Sequence, residues 1–478
     1  MVRHLTSLAL ALLSASFLTP AYAQTGTALS APTIQAESAG TQNLFDVLRY
    51  AYANNPTILA ARAELLATQE RLPQAQAGWK PSADLTGEIG RTWIDGNGGG
   101  ADGSTYKTGE ITASQPLYRG GRTTAQISSA RNAIMPQRAF LMATEQNILL
   151  QVVAAYMNVL RDQSLYDLAV NNKDVIARQL DASRARFEVG DVTRTDVSQS
   201  EARLAQSEAN RVNALGNLRS SIAIYQRVAG LPPATLAFPA MTLPIPQTLE
   251  ASVEMAETYN PNVIAADFLH NAAEEDIDAV FGELLPQVGL FGSYNHTIDP
   301  SPGTVDKTTF KAIGISATIP LYEAGSTRSR TRQAKNIARQ RLIEVQEAER
   351  LARQQAVSSW EDHLAAKAEI QSREAQVEAA RVARDGVHKE AELGTRTILD
   401  ALNADQELLD AESALVTARR NEVVAQFALA TSLGLMSPEA LGFPELSLNY
   451  DEHIKEITGK IFSTDTDYGR NLGVMAGD

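Results

Sequence analysis

Pro116-Leu117-Tyr118-Arg119-Gly120-Gly121 recurs as Pro320-Leu321-Tyr322-Glu323-Ala324-Gly325, and the offset of 204 positions holds over most of the chain. It relates Gly190 to Gly394, Asp196 to Asp400 and Gly230-Leu231 to Gly434-Leu435. Ahead of the two boxes the offset is 205, linking Asn55-Pro56 to Asn260-Pro261, Pro81 to Pro286 and Gly87 to Gly292, so one residue is missing between Gly292 and Pro320. A fixed internal period outranks length as a guide to architecture. The 478 residues, which at ordinary domain size suggest about three domains, are read as two copies of one unit.

Upstream of each box the hydrophobic pattern alternates, as in a strand. Ala83, Leu85, Gly87, Ile89 and Trp93 fall on one side and Asp84, Thr86 and Glu88 on the other. The Gly-rich stretch Asp95 to Ser104 reads as a loop, and a second run carrying Ile111 and Ala113 leads to Pro116. The second copy has Val288, Leu290, Gly292 and Tyr294, a loop at 299–303, then Ile313, Ile315, Ala317 and Ile319. The expectation is two hairpins, 82–116 and 287–320, whose strands of about 10 to 12 residues match a tilted crossing of a hydrocarbon layer. Four strands cannot close a barrel, which needs about eight. A barrel must then be shared between chains; two soluble hairpins on a helical body is the alternative for the same pattern.

Downstream of each box the period becomes helical. Between Gly121 and Gly190 there is one proline, Pro136, and no glycine, while only Gly386 interrupts Gly325 to Gly394. A helix of ~65 to 70 residues rises about 100 Å, longer than an ordinary globular domain is wide. Returning helices at roughly 193–229 and 396–433 complete long helical hairpins, 120–229 and 324–433. Ile148, Val152, Ala155 and Val159 form one seam and Leu149, Val153, Tyr156 and Leu160 an adjacent one, so this helix has neighbours on both sides. Leu402, Leu409, Val416 and Val423 keep the heptad spacing of a coiled coil. A closed cylinder of such helices has a wall one helix thick, and its inner face can be polar. Shorter helices over 44–79 break at Asn55-Pro56, where the residue before proline resists helix and proline suits a first turn. The repeats are placed at 24–230 and 248–446, joined by a stiff Pro-rich linker at 231–247. Residues 447–478 are read as a flexible tail.

Composition narrows the function. There is no cysteine, which excludes disulfides, thiolate metal sites, a thiol nucleophile and a cysteine-linked lipid. With 42 Lys+Arg against 56 Asp+Glu the net charge is -14, the wrong sign for a nucleic-acid partner. Arg3 and His4, the apolar run Leu5 to Leu18 and Ala21-Tyr22-Ala23 read as a secretory signal peptide at 1–23; the run is short for a membrane anchor. No later stretch is an apolar span, so entry into a membrane requires a β-barrel. The six histidines have no metal-pair spacing, Asp385 and His388 read as a surface pair, and the Gly-rich loop lacks the Lys-Ser/Thr of a phosphate loop. No catalytic residues, no metal site and no cofactor are assigned, and the chain is read as not an enzyme.

The repeat, the two Pro-Leu-Tyr-x-x-Gly boxes and Gly394-Thr395-Arg396-Thr397-Ile398-Leu399-Asp400-Ala401-Leu402 resemble the TolC-type outer-membrane efflux family from about Leu44 to Phe443. The segment from Asn55-Pro56-Thr57 to Gly78-Trp79-Lys80-Pro81 is similar to its type I secretion branch. The resemblance implies a mainly α fold in which a homotrimer forms a 12-stranded β-barrel in outer-membrane lipid, continued through the periplasm by an α-helical barrel. It implies the exit duct of a tripartite system for type I protein secretion or multidrug efflux. A periplasmic adaptor and an inner-membrane ABC or proton-driven transporter complete that system, and the duct opens by an iris-like movement. It places a closed-state latch on Thr195, Asp196 and Arg396, a channel constriction at Asp400 and adaptor contacts at the hairpin tips, Gly190 and Gly394. Two positions depart from the family: Asn403 stands where a second constriction aspartate is usual, and Ala391 where a tyrosine is. One ring of Asp400 carboxylates, raising one another's pKa or holding a cation, is expected. A non-channel periplasmic coiled-coil scaffold or adaptor is the alternative reading.

Overall fold

Asn55 and Asn260 each cap two helices at once. Both hold extended backbone ahead of a proline at the first helical position. The Asn55 side-chain oxygen accepts the Thr57 N–H at 2.9 Å, and its amide donates to the Val228 carbonyl at 2.9 Å, in the last turn of a different helix. Asn260 does the same with the Asn262 N–H at 2.9 Å and the Ser432 carbonyl at 3.2 Å. Helix ends leave amides and carbonyls without partners. One buried side chain satisfies both kinds, and this explains why the Asn-Pro pair occurs in each copy.

The computed structural model describes residues 41–96, 99–239, 243–301, 305–460 and 463–464, so the signal peptide read at 1–23 lies outside the described residues. The first copy runs β1 (Thr41–Gln42), α1 (Leu44–Asn54), α2 (Pro56–Gln69), α3 (Arg71–Gln76), β2 (Ser82–Gly96), β3 (Gly99–Arg119), α4 (Arg122–Glu188) and α5 (Arg194–Ala229). After β4 (Thr235–Leu236) the second runs α6 (Leu249–Tyr259), α7 (Pro261–Phe281), β5 (Gln287–Ser301), β6 (Val305–Thr318), α8 (Ser326–Glu392) and α9 (Ile398–Ser432). Two shorter helices follow, α10 (Pro438–Leu441) and α11 (Tyr450–Gly459). No helix among the described residues is long and apolar enough to cross a membrane.

The strands form one antiparallel sheet in the order β2-β3-β5-β6. The β3–β5 pairing, with Ile111 opposite Tyr294 and Ala113 opposite Gly292, is where the two copies become one sheet. Register puts Leu85, Ile111 and Tyr294 in one row, and Ala83, Ala113, Gly292 and Ile313 in the next. This apolar face is bare, with Leu85 76% and Ile313 83% exposed. Asp84, Thr86, Glu88, Glu110, Thr112, Ser293 and Asn295 have the opposite parity and occupy the other face. β2 and β6 are edges with no further partner among the described residues.

The strands are longer than the sequence pattern indicated, at 14 to 21 residues. Much of the Gly-rich stretch read as a loop is paired strand, because a ladder needs only backbone groups. Gly103 lies opposite Trp93, whose indole covers the space a side chain would fill. Pro116 does not end the first hairpin, since β3 continues to Arg119 across a register shift between Pro116 and Tyr118. At the sheet's foot a side chain on Gly120, at φ 64°, would meet the Gly282 carbonyl at 2.3 Å. Only a glycine allows the start of α4 to pass so close to the end of α7.

α4 and α8 each have 67 residues. α2 packs on α4, α4 on α7 and α7 on α8, so the wall beneath the sheet is a single layer of helices. Both seams read on α4 are buried except for the partly buried Leu160: Leu149, Val152, Val153 and Tyr156 sit in the main core with Tyr225 of α5 and Phe427 of α9. The described parts of the Pro-rich 231–247 stretch, 231–239 and 243–247, are tied to the body. β4 pairs in parallel with β1, the Tyr156 hydroxyl donates to the Gln42 carbonyl at 2.9 Å, and Leu243 enters the core.

The reading of 447–478 as a flexible tail fails for its first part. Asn449 caps α11, Tyr450 and Ile454 pack on Leu65, Leu72, Ile134 and Leu141, and Asp451 pairs with Arg138. Weak periodicity concealed this because a helix of 10 residues needs only one short apolar edge to dock. Beneath it Arg62, 1% exposed, reaches Glu145 at 3.5 Å and stacks over the Tyr52 ring. Burial pushes the Glu145 carboxyl up, and Arg62 opposes the shift.

Removing either two-way cap deletes a helix cap and strands a buried carbonyl. Asn55→Ala or Asn260→Ala should therefore lower stability by about 2 kcal/mol. Thermal unfolding followed by helical circular dichroism checks this; an unchanged midpoint for both would remove the caps from the account.

Candidate functional site

The two helical hairpins turn at Gly190 and Gly394, at φ 82° and 77°, where a side chain would be strained. The Asp191 N–H closes the first turn on the Arg186 carbonyl at 2.9 Å, and the Thr395 N–H closes the second on Glu390 at 3.0 Å. Each returning helix then starts with a capping box: Thr193 with Asp196, and Thr397 with Asp400. The 204-residue repeat thus extends to the hydrogen bonds at the tips.

These boxes occupy the carboxylates. One Asp196 oxygen accepts the Thr193 N–H and hydroxyl at 2.9 and 2.8 Å, and one Asp400 oxygen accepts those of Thr397 at 3.1 and 2.8 Å. The Thr397 hydroxyl, then its N–H, hold the Asp400 carboxyl below its ordinary range, with Arg396 adding to the shift. The sequence expectation of a raised value concerned three copies together; within one chain the capping bonds act the other way. Arg396 donates to Glu390 at 2.9 Å, and that contact raises its pKa further.

The expected latch between Arg396 and Asp196 is therefore not formed within the chain. Thr195 is exposed, and both Asp196 and Arg396 are satisfied inside their own hairpins. A bond to the adjacent turn orders few additional groups, whereas a link across hairpins must order two long helices as well.

What joins the tips lies one heptad inward. Arg203 on α5 donates to the Asn403 side-chain oxygen on α9 at 2.9 Å. Beside this bond Ile176 of α4 packs with Ile398 and Leu402, flanked by Val192 and Leu204. Arg203 was missed from sequence. Its signal was present, since 203 and 403 stand seven residues beyond 196 and 396 and a heptad returns to the same face. Asn403, read as a weakened constriction position, is a neutral acceptor for that arginine.

Farther from the tips the contacts multiply. His388 bonds Asp405 at 2.9 Å across α8 and α9, while Asp385 pairs with Arg384, so the Asp385–His388 surface pair read from sequence does not form. Arg420 of α9 donates to Asn158 of α4 at 2.9 Å, next to the buried Asp162, which Arg161 and Ser221 satisfy. The hairpins are thus fused at the main core and touch through a few residues at the ends. Each buried aliphatic side chain contributes roughly 1.5–3 kcal/mol, so tip contact is the weaker of the two.

Comparison with known proteins places this geometry. The family model described as outer membrane efflux protein matches residues 47–230 and 253–435, one match per copy. The outer membrane efflux protein BepC of Brucella suis biovar 1 (strain 1330) is 32% identical over 443 residues, covering 92% of this chain and 96% of BepC. The alkaline protease secretion protein AprF of Pseudomonas aeruginosa is 24% identical, with 84% of this chain and 86% of AprF covered. Among solved structures the Campylobacter jejuni CmeC outer membrane channel superposes with a TM-score of 0.74 at 14% identity, covering 87% of this chain and 89% of that one.

Leu402→Ala should open a cavity worth about 2 to 4 kcal/mol at the tip contact. Hydrogen exchange should quicken in 172–180 and 398–406 and stay unchanged in 148–160; uniform acceleration would mean that the tip is not a separate unit.

Proposed function

The chain belongs to the outer membrane efflux protein family and is an outer-membrane channel protein, and we propose that three copies share one barrel and one periplasmic tunnel whose entrance is the ring of hairpin tips. The carrying observation is a four-stranded sheet with a bare apolar face and two open edges, continuous with helices of 67 residues. Unpaired edges are not tolerated in hydrocarbon. Pairing β6 of one copy with β2 of the next closes the sheet, and three times four strands exceeds the minimum for a barrel. The same repetition puts α8 of one copy beside the α2–α3 segment of its neighbour.

In this reading the duct is passive. An inner-membrane transporter, ATP-driven or proton-driven, supplies the energy, and a periplasmic adaptor joins it to the tips. The turns at Gly190 and Gly394 are flanked by Val189 and Leu393, 80% and 81% exposed, an apolar footing for that adaptor. Opening is an iris-like parting of the second hairpin from the first. It breaks the Arg203–Asn403 bond and the Ile176–Ile398–Leu402 contact while the main core stays packed. Adaptor binding must favour the open tips by more than these contacts favour the closed ones. Three Asp400 carboxylates at the entrance form the constriction. Within each chain the Thr397 hydrogen bonds favour the charged form of Asp400, and repulsion among the three carboxylates of the ring opposes them. BepC is named for efflux and AprF for protease secretion, and one such duct serves either cargo because the pump does the selecting.

In planar bilayers Arg203→Ala should raise single-channel conductance more than Arg396→Ser, since only the former breaks a link between hairpins; the reverse order would restore Arg396 as the latch. Asp400→Ala should weaken block by multivalent cations. Identical block in the variant would place the constriction elsewhere. Outer-membrane fractions should yield SDS-resistant, heat-modifiable trimers, and a soluble monomer would defeat the tunnel.

A further inference from the structure

The first five turns of α8 carry an unusual charge pattern. Residues 326–343 contain six cations, Arg328, Arg330, Arg332, Lys335, Arg339 and Arg341, and no acid, in a chain with 14 more acidic than basic residues. Two of the six are used locally, Arg330 by Glu283 and Arg341 by Glu344. The other four, Arg328, Arg332, Lys335 and Arg339, are exposed and have no ion-pair partner among the described residues. Their 4,3,4 spacing puts them in one row along the helix.

The row has a definite direction. α8 buries Thr327, Ala334 and Ala338 against α7, so the row lies to the side of that seam. Lys335 and Arg353 are 18 residues apart, about five whole turns, and therefore share a side. Arg353 pairs with Glu257 of α6 at 2.6 Å, and Trp360, two turns on, packs against the cluster that includes Ala256 of α6. α6 is a second layer on the single-layer wall. A second layer inside the duct would plug it, so the side that carries α6 is the outer surface. Vertically the row begins a few residues below Leu321 and Tyr322, both bare at the foot of β6, and covers about 16 Å of helix.

We propose that this row is a docking surface for anionic phospholipid headgroups of the periplasmic leaflet, forming a basic collar on the outside of the trimer just below the barrel. The inference rests on the duct reading above. Clustered Lys and Arg next to a membrane-spanning element are attracted to anionic lipid within about a Debye length. Their long side chains reach the headgroup level while the stems stay along the helix. The start of α8 adds the positive end of its dipole.

The test is lipid retention by the trimer. Wild-type protein and the variant Arg328→Gln/Arg332→Gln/Lys335→Gln/Arg339→Gln are reconstituted into phosphatidylethanolamine vesicles with and without phosphatidylglycerol, re-extracted as trimers, and their bound lipid is weighed by mass spectrometry. The wild type should be enriched several-fold in phosphatidylglycerol, the enrichment should fall with salt, and the variant should lose it. Lysine at Arg328, Arg332 and Arg339 should retain it. Equal enrichment in wild type and glutamine variant overturns the proposal. So does altered cation–anion selectivity of the variant pore with unchanged lipid, which would put the row inside the duct. Salt-sensitive binding of wild type, but not variant, to cell-wall glycan in place of vesicles also overturns it. Failure to recover SDS-resistant trimers from either protein would count against the tunnel itself.

Discussion

A backbone amide or carbonyl in hydrocarbon has no water to turn to, and the rest of this molecule follows from that constraint. The chain resolves half of the problem internally. β3 and β5, from different copies of the repeat, pair along the middle of the sheet, so the duplication is stitched together where water is absent. The other half remains as two open edges on β2 and β6. In the trimer proposed above, repetition of the sheet around an axis removes both. The helices inherit that circular order, because each strand leads into or out of one of them.

The two copies share a plan but not a burden. α4 buries Ile148, Leu149, Val152, Val153, Tyr156 and Met157, whereas α8, of equal length, buries mostly alanines, among them Ala334, Ala338, Ala352, Ala356 and Ala380. The difference follows from position. α4 has chain neighbours on both sides and sits in the main core with α5 and α9, while α8 ends the row. Alanine lets its internal neighbours α6, α7 and α9 approach closely, and its remaining faces stay bare, including Ile343, Val357 and Leu364. In the proposed trimer those faces would meet the neighbouring copy.

Local and distant hydrogen bonds compete at the tips, and the local ones win. Asp196 and Asp400 complete capping boxes, and Arg396 turns back to Glu390. Contact between hairpins is left to Arg203, Asn403 and three aliphatic side chains. In the proposed opening this division would keep each helix intact through its cap while the hairpins separate. The heavier packing begins farther up, near Arg420 and Phe427, where the hairpins have no reason to part.

The sequence by itself determined the duplication, the strand and helix order, both long hairpins and their turn glycines, because period and offset are properties of the chain alone. It also determined which strand face is apolar. The tertiary structure decided the β3–β5 register, the continuation of strands through glycines, the docking of α11 and the double use of Asn55 and Asn260, all of which depend on residues far apart in sequence. It also decided the tip chemistry. The types at 196, 396 and 400 point to charge near an entrance, but a carboxylate three residues after a threonine can cap its own helix or reach across to another. Only folded geometry, in which the nearer partner costs less order, selects the cap and leaves the crossing to Arg203 and Asn403.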